Sequence, residues 1–292
     1  MLGHRSMEVD LVRLQKSEAI QLIKTTLMGW ENPQGDEHFK KQRKQADSGK
    51  SAALFYRMMK EIGVELHLKT NALTLTNVSP SEVKILTEAS GITLSPDQGG
   101  HKVFLNSPLS TVLYCDITMF ATEFGAEYVP VTHPEHATFS TERPFLSQTF
   151  NLIFCHGQVL RTHPRMEYRE AYEATRLTFP QLTLAMQCIS EGGTFIMLLH
   201  KVEAWDTMDL LYRFLQFSDI ELFKPIKKHA IRSTFYLVAK QVRPSSEAAR
   251  LAVQHWKEGW WQATFVRSKL AGLGRKVLTI QADALKKADF VR

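Results

Sequence analysis

Cysteine is scarce in this sequence. Cys115, Cys155 and Cys188 are its only three in 292 residues, far apart and each within an apolar run. That spacing excludes a disulfide framework, a CxxC redox pair and a thiolate metal cluster. It predicts reduced core thiols and an intracellular setting, cytoplasm or nucleus. Long apolar runs are also missing: Phe195–Leu199 is five residues, where a membrane-spanning helix needs about 20. The N-terminal residues His4, Arg5, Glu8 and Asp10 leave no room for a secretory apolar region, so no membrane partner is expected. Nor is there an acidic excess. Lys and Arg number 36 against 30 Asp and Glu, a formal charge of +6, which tilts the chain toward acidic partners, nucleic acid being the commonest. No P-loop and no GxSxG elbow occurs, and Gly99-Gly100-His101 is not a GxGxxG fingerprint.

What is present is ordinary globular material, 44% hydrophobic and 23% charged, enough to bury a large core. Val9, Val12, Ile20, Ile23 and Leu27 predict an N-terminal helix, stopped by Gly29 and Pro33. A basic segment with Lys40, Lys41, Arg43 and Lys44 follows, read either as a solvated face or linker or as a nucleic-acid contact. Ser51–Gly63 is again helix-like. Beyond residue 80, short runs rich in β-branched and aromatic residues alternate with helical stretches, the pattern of a parallel α/β sheet. The expected strands are Gly91–Leu94, Val112–Ile117, Phe150–Cys155, Thr194–Leu199, Ile220–Phe223 and Thr234–Ala239, and the expected helices Met119–Gly125, Glu167–Ile189 and Trp205–Phe217. Only a short polar connection, Lys224–Ser233, joins the last two strands, which predicts an antiparallel pair. Pro244, Ser245 and Ser246 open a final helix. Its Trp256, Trp260 and Trp261 either stack bases or, at near-helical spacing, lay the helix against the domain.

Three stretches are more specific. Phe150-Asn151-Leu152-Ile153-Phe154-Cys155-His156-Gly157-Gln158-Val159-Leu160-Arg161 resembles the fourth strand and catalytic loop of the FtsJ-like, S-adenosylmethionine-dependent RNA methyltransferases, particularly fungal members. Gly192-Gly193-Thr194 through Lys201 resembles their next strand, entered through a glycine pair, and Lys224–Lys240 their closing hairpin. Gly91–Leu94 with Gly99-Gly100-His101 is similar to their second strand and its loop, and Val112–Ile117 to the third. The resemblance covers about residues 50 to 240. It implies a Rossmann-like methyltransferase sheet of α/β class, mostly parallel with an antiparallel closing hairpin, flanked by N- and C-terminal helices. The implied division is 1–50 as helix and basic linker, 51–242 as the methyltransferase domain and 243–292 as a helical extension.

The resemblance also implies S-adenosylmethionine as cofactor, RNA as partner and methyl transfer to a ribose 2′-hydroxyl. The family's Lys-Asp-Lys-Glu tetrad would supply a lysine of depressed pKa near a weakly nucleophilic hydroxyl, with positioning doing most of the rest. Here the strand-end aspartate corresponds to His156, the aspartate within the strand to Asn151, the second lysine to a position near Leu198, and the glutamate to about Thr234. Arg57 or Lys60 is nearest to the first lysine. The catalytic candidates are therefore His156, as a base of near-neutral pKa or a hydrogen-bonded structural residue, and Lys201, as a base or as part of the start of the following helix. The alternative implied is a catalytically inactive descendant that binds RNA or protein.

For the cofactor, the resemblance implies a carboxylate after the third strand, Asp116, which could equally cap a helix from Thr118. Thr93 and Asp97 fall where ribose contacts belong. Val83–Leu86 reads as the first strand, yet only Thr87–Ser90 separates it from Gly91. A parallel crossover needs a dozen or more residues. The expectation is a missing glycine-rich turn and first crossover, the other reading being that Ile85 is not in the first strand. On the substrate side, Arg161, His163 and Arg165, with Lys224, Lys227, Lys228, His229 and Arg232, make either a phosphate-contacting rim or solvated basic loops.

Overall fold

The computed structural model describes residues 72–75 (backbone), 89–100, 103, 110–159, 166, 168–225 and 233–266. Among the described residues, seven strands form one sheet: β1 Ala72–Leu75, β2 Ala89–Thr93, β3 Ser110–Tyr114, β4 Phe150–Cys155, β5 Ile189–His200, β6 Asp219–Phe223 and β7 Thr234–Val242. Their order is β3-β2-β1-β4-β5-β7-β6. The first five are parallel, while β7 runs antiparallel to both β5 and β6. The fold is a mostly parallel, Rossmann-like sheet closed by an antiparallel pair, as the charged link at 224–233 predicts.

The first strand departs from the sequence reading. Ala72–Leu75, not Val83–Leu86, pairs with β2 and β4, with Ala72 opposite both Ala89 and Leu152. Residues 76–88 then connect β1 to β2, thirteen residues by difference, which meets the length of a parallel crossover. The inferred deletion is therefore unnecessary. What remains of the observation is chemical: no glycine occurs between Leu75 and Gly91. Residues 83–86 themselves lie outside the described residues, as do the N-terminal helices expected over 7–30 and 51–63.

Burial explains the central strands. Ile153, Cys155, Phe195, Met197, Leu237 and Ala239 belong to one continuous core cluster. Leu152, Phe154, Ile196, Tyr236 and Val238, of opposite parity along their strands, are equally buried, so both faces of the sheet are covered. Helix α1 (Glu173–Cys188) is the crossover from β4 to β5, and α2 (Trp205–Phe217) the crossover from β5 to β6. The glycine pair sits inside β5 rather than before it. Two positive-φ residues, Gly192 at 74° and Gln241 at 50°, lie where the register slips between Gly193 and Phe195, a β-bulge.

Helix α3 (Glu247–Trp261) opens at Ser246, whose hydroxyl accepts the Ala249 N–H at 3.2 Å. Trp256 and Trp260 pack rather than stack bases, both being fully buried. Phe214 lies between Phe195, stacked at 4.8 Å, and Trp256 at 6.0 Å, so α3 shares the core of the sheet. The expected helix Met119–Gly125 does not form. A single 3-10 turn, Ile117–Met119, is followed by turns through Gly125, because the backbone of Phe120 and Ala121 is drawn into pairing with Ser140.

Candidate functional site

In an open parallel sheet, ligands bind outside the carboxyl ends of the strands where the order reverses. Here β1 lies between β2 and β4, so the switch point falls between β1 and β4. Leu75 is opposite both Ile92 and Cys155, which sets Thr93 and His156 level with each other on either side of β1. Tyr114 is level with Thr93. Three strand spacings, roughly 14 Å, separate the ends of β3 and β4.

The carboxyl edge gathers five of the sequence candidates. Thr93 ends β2 but is buried, its hydroxyl donating to the Leu94 carbonyl at 3.3 Å. Asp97 is exposed in the short 3-10 turn Pro96–Gln98 just beyond. That turn is closed by Gly99 in the left-handed region at φ 94° and by Gly100, whose N–H donates to the Ser95 carbonyl at 2.8 Å. Asp116 caps the 3-10 turn, its Oδ1 accepting the Thr118 N–H at 2.9 Å. An ionised carboxylate has about four acceptor sites, so this bond leaves capacity for another donor. The same charge, after burial and together with Glu142, pushes the Cys115 thiol up to about 11. The buried Cys155 and Cys188 thiols are raised by desolvation as well, which makes all three poor nucleophiles.

His156 leaves β4 directly at the switch point and is buried. Its ring lies 5.6 Å from Phe154, edge-on, and 5.6 Å from Tyr236. Cys155 pairs with Met197, so His156 is level with Leu198 and Lys201 stands three residues, about 10 Å, further along the strand direction. Lys201 is exposed and adopts φ 53°, a left-handed conformation costing a β-carbon residue roughly 1–2 kcal/mol. Its N–H donates to the Ser233 carbonyl at 3.3 Å and its carbonyl accepts the Ala204 N–H at 2.8 Å, so its backbone turns the chain into α2. Thr234 faces His200 across the β5–β7 pair. Arg161, Lys227, Lys228 and Arg232 lie outside the described residues. The described residues nearest them, Val159 after β4, Lys224 after β6 and Ser233 before β7, follow or precede strand ends at this same edge.

Two residues outside the set of site candidates shape the rim. Gln181 of α1 is completely buried and bonded to Gly157. Gln158 donates from Nε2 to the Leu198 carbonyl at 3.0 Å. The available signal for Gln181 was a lone amide on a helix face otherwise made of Leu182, Leu184 and Ala185.

Beside the rim, the start of α1 is locked by a buried polar network. Arg169 pairs with Glu135 and Glu173, each at 3.4 Å, Arg176 Nε donates to Thr264 Oγ1 at 3.2 Å, and the Tyr168 hydroxyl donates to Glu135. His133 sits edge-on among Phe139, Phe265 and Tyr168, with ring separations of 5.3, 5.2 and 5.7 Å. Burial, ahead of the smaller charge effects around it, lowers its pKa; desolvation likewise lowers those of His200 and His255. With the folded pKa depressed, the unfolded chain binds the extra proton below its own pKa of roughly 6.5. Stability should therefore fall as pH drops through and below that value. Urea midpoints at pH 7.5 and 5.5 check this: a lower midpoint at 5.5 is expected, with a shallower drop in His133→Gln. An unchanged or higher midpoint at 5.5 would contradict it.

No family model and no curated protein matches the chain. Among solved structures it is similar to the N-methyltransferase NodS from Bradyrhizobium japonicum WM9, at 10% identity and a TM-score of 0.41 over 68% of this chain and 99% of that one. A ribosomal RNA methyltransferase from Plasmodium falciparum matches at 14% identity and a TM-score of 0.41 over 64% of this chain and 96% of that one. Human methyltransferase-like protein 13 in complex with SAH matches at 11% identity and 0.36, over 70% and 90%. At these identities and scores the likenesses bear on no residue of the site. The chain's own strand order establishes a Rossmann-like α/β sheet with its candidate site at the β1–β4 switch point.

Proposed function

We propose that this chain is an S-adenosylmethionine-dependent methyltransferase of the FtsJ-like type acting on RNA, with a ribose 2′-hydroxyl as acceptor. The observation that carries the reading is the joint placement of Asp97, Asp116 and His156 at the carboxyl edge on both sides of one switch point, in a chain whose strand and loop sequences resemble that family. The donor set suits the cofactor in part. Asp97 offers an exposed carboxylate for ribose hydroxyls, and Asp116 retains acceptor capacity for an adenine amino group. Thr93, with its hydroxyl turned to Leu94, contributes shape rather than a bond.

When bound, the cofactor supplies an electrophilic methyl on a sulfonium, which needs no acid to leave. This chain's residues would bind and orient. His156, buried against Phe154 and Tyr236, forms the floor beside the reacting groups and can accept a proton at a ring nitrogen. Lys201 lies at the rim, where its ammonium meets acceptor phosphates or hydroxyls. Arg161, Lys227, Lys228 and Arg232 would neutralise RNA phosphates.

A second reading has specific support: a catalytically inactive descendant that serves as an RNA- or protein-binding module. The positions matching the tetrad carry His156, Leu198 and Thr234, and the segment after Leu75 has no glycine. Calorimetric titration with S-adenosylmethionine and with its demethylated product, alongside methyl transfer to RNA from labelled cofactor, separates the two. Binding with transfer supports the enzyme; binding without transfer supports the silent descendant. No binding at millimolar ligand would sink the enzyme reading. Asp116→Ala should weaken the cofactor about tenfold, the worth of one charge-assisted hydrogen bond. Replacing Lys227, Lys228 and Arg232 together should abolish RNA retention at low salt, and unchanged retention would remove the basic rim.

A further inference from the structure

The ladder bonds that hold β4 between β1 and β5 end at Cys155. The next residues, His156 and Gly157, are nevertheless buried, and buried backbone groups need partners. For Gly157 the partner is one side chain. Gln181 Oε1 accepts the Gly157 N–H at 2.8 Å, and Gln181 Nε2 donates to the Gly157 carbonyl at 3.2 Å and to the Leu177 carbonyl at 3.1 Å. A single amide thus serves both polar groups of one residue, as a neighbouring strand would. On the next residue, Gln158 is tied to β5 through the Leu198 carbonyl at 3.0 Å. The segment is fixed from the helix layer at Gly157 and from the sheet at Gln158, and His156 sits immediately before both ties. Pro180, adjacent to Gln181, is inside α1, where it omits one helical hydrogen bond.

We propose that Gln181 is a positioning residue: it holds the His156–Gln158 turn at the switch point in the conformation that lines the ligand site, so that the site's affinity is set from α1. The effect on S-adenosyl ligands rests on the function proposed above; the hold on the turn does not. A role limited to core stability would lower protection throughout the sheet and leave the folded protein's affinity alone.

The test compares wild type, Gln181→Leu and Gln181→Glu by amide hydrogen exchange at Gly157 and at Ile196 of β5, and by titration with S-adenosylhomocysteine. Gln181→Leu should lose at least about tenfold more protection at Gly157 than at Ile196 and bind about tenfold more weakly, as expected for a lost buried hydrogen-bond pair. Gln181→Glu provides the rescue, and the whole test should Gln181→Leu fail to fold. A protonated carboxyl offers one donor and one acceptor, an ionised one only acceptors, and burial favours the protonated form. Its affinity and Gly157 protection should approach wild type near pH 5 and fall by pH 8, relative to wild type at each pH. Equal loss at Gly157 and Ile196, or unchanged affinity in a folded variant of a binding protein, overturns the proposal. Selective loss at Gly157 in a protein whose wild type binds no ligand bears out the hold on the turn and overturns the methyltransferase reading instead.

Discussion

Trp260→Ala is expected to remove about 3–5 kcal/mol of stability, the usual cost of deleting a buried large aromatic side chain. Trp260 is fully buried and touches Phe124, Phe139 and Phe265, with ring separations of 5.1, 6.4 and 5.5 Å. Its Nε1 donates to the Thr118 carbonyl at 3.1 Å. The loss therefore combines a cavity with an abandoned carbonyl, and it is not confined to the core. Thr118 is the residue whose N–H Asp116 caps, so the anchor of the turn after β3 loosens with it. Trp260→Phe keeps most of the volume and should cost less than half as much. Trp261→Ala, at a half-buried site against Phe265 and Tyr128, should also be milder. Urea denaturation of the three variants checks the order. Equal losses would contradict the assignment of Trp260 as the pin between α3 and the rim.

The second large effect is expected at Gly100. A β-carbon there would lie 1.7 Å from the Leu94 carbonyl oxygen and 2.9 Å from that of Ser95. Both obstacles are backbone, so no rotamer relieves them, and the turn that carries Asp97 must open. Gly100→Ala should cost about 2–3 kcal/mol, at the high end for overpacking, and abolish measurable binding of S-adenosyl ligands. Gly99→Ala meets a left-handed backbone penalty at φ 94°, roughly 1–2 kcal/mol, and should cost less than Gly100→Ala. Thermal melts with and without ligand distinguish the two. A Gly100→Ala protein with wild-type melting temperature and affinity would contradict the close approach.

The legible parts of the fold were those where local pattern and tertiary burial agree. Phe150–Cys155 and Trp205–Phe217 coincide with β4 and α2, one an apolar run covered on both faces, the other an amphipathic helix with a polar stripe. The β6–β7 pair was readable because a short charged link cannot cross over. The first strand was not. Ala72-Leu73-Thr74-Leu75 is four residues with little β-branched content, while Val83-Lys84-Ile85-Leu86 has the stronger strand composition; long-range pairing with β2 and β4 decides between them. Met119–Gly125 has helical spacing of Met119, Phe120 and Phe124, but the bridge to Ser140 outweighs it.

For the site, position was more legible than role. Asp97, Asp116, His156 and Lys201 do collect on one edge because strand ends fix them there. Whether Asp116 also caps a turn, and which side chain holds the turn after β4, depend on partners remote in sequence. Gln181 is 24 residues from Gly157 and Trp260 is 142 from Thr118, distances over which no local pattern carries information.

An S-adenosyl ligand is expected to bind at the carboxyl edge around the β1–β4 switch point. Backbone amide shift mapping by NMR during titration with S-adenosylhomocysteine tests it most directly. Saturable shifts clustered at residues 93–100, 115–119 and 155–158 are expected, with little change in β6 or along α3. No saturable shift at millimolar ligand, or shifts confined to surfaces away from those three loops, would contradict it.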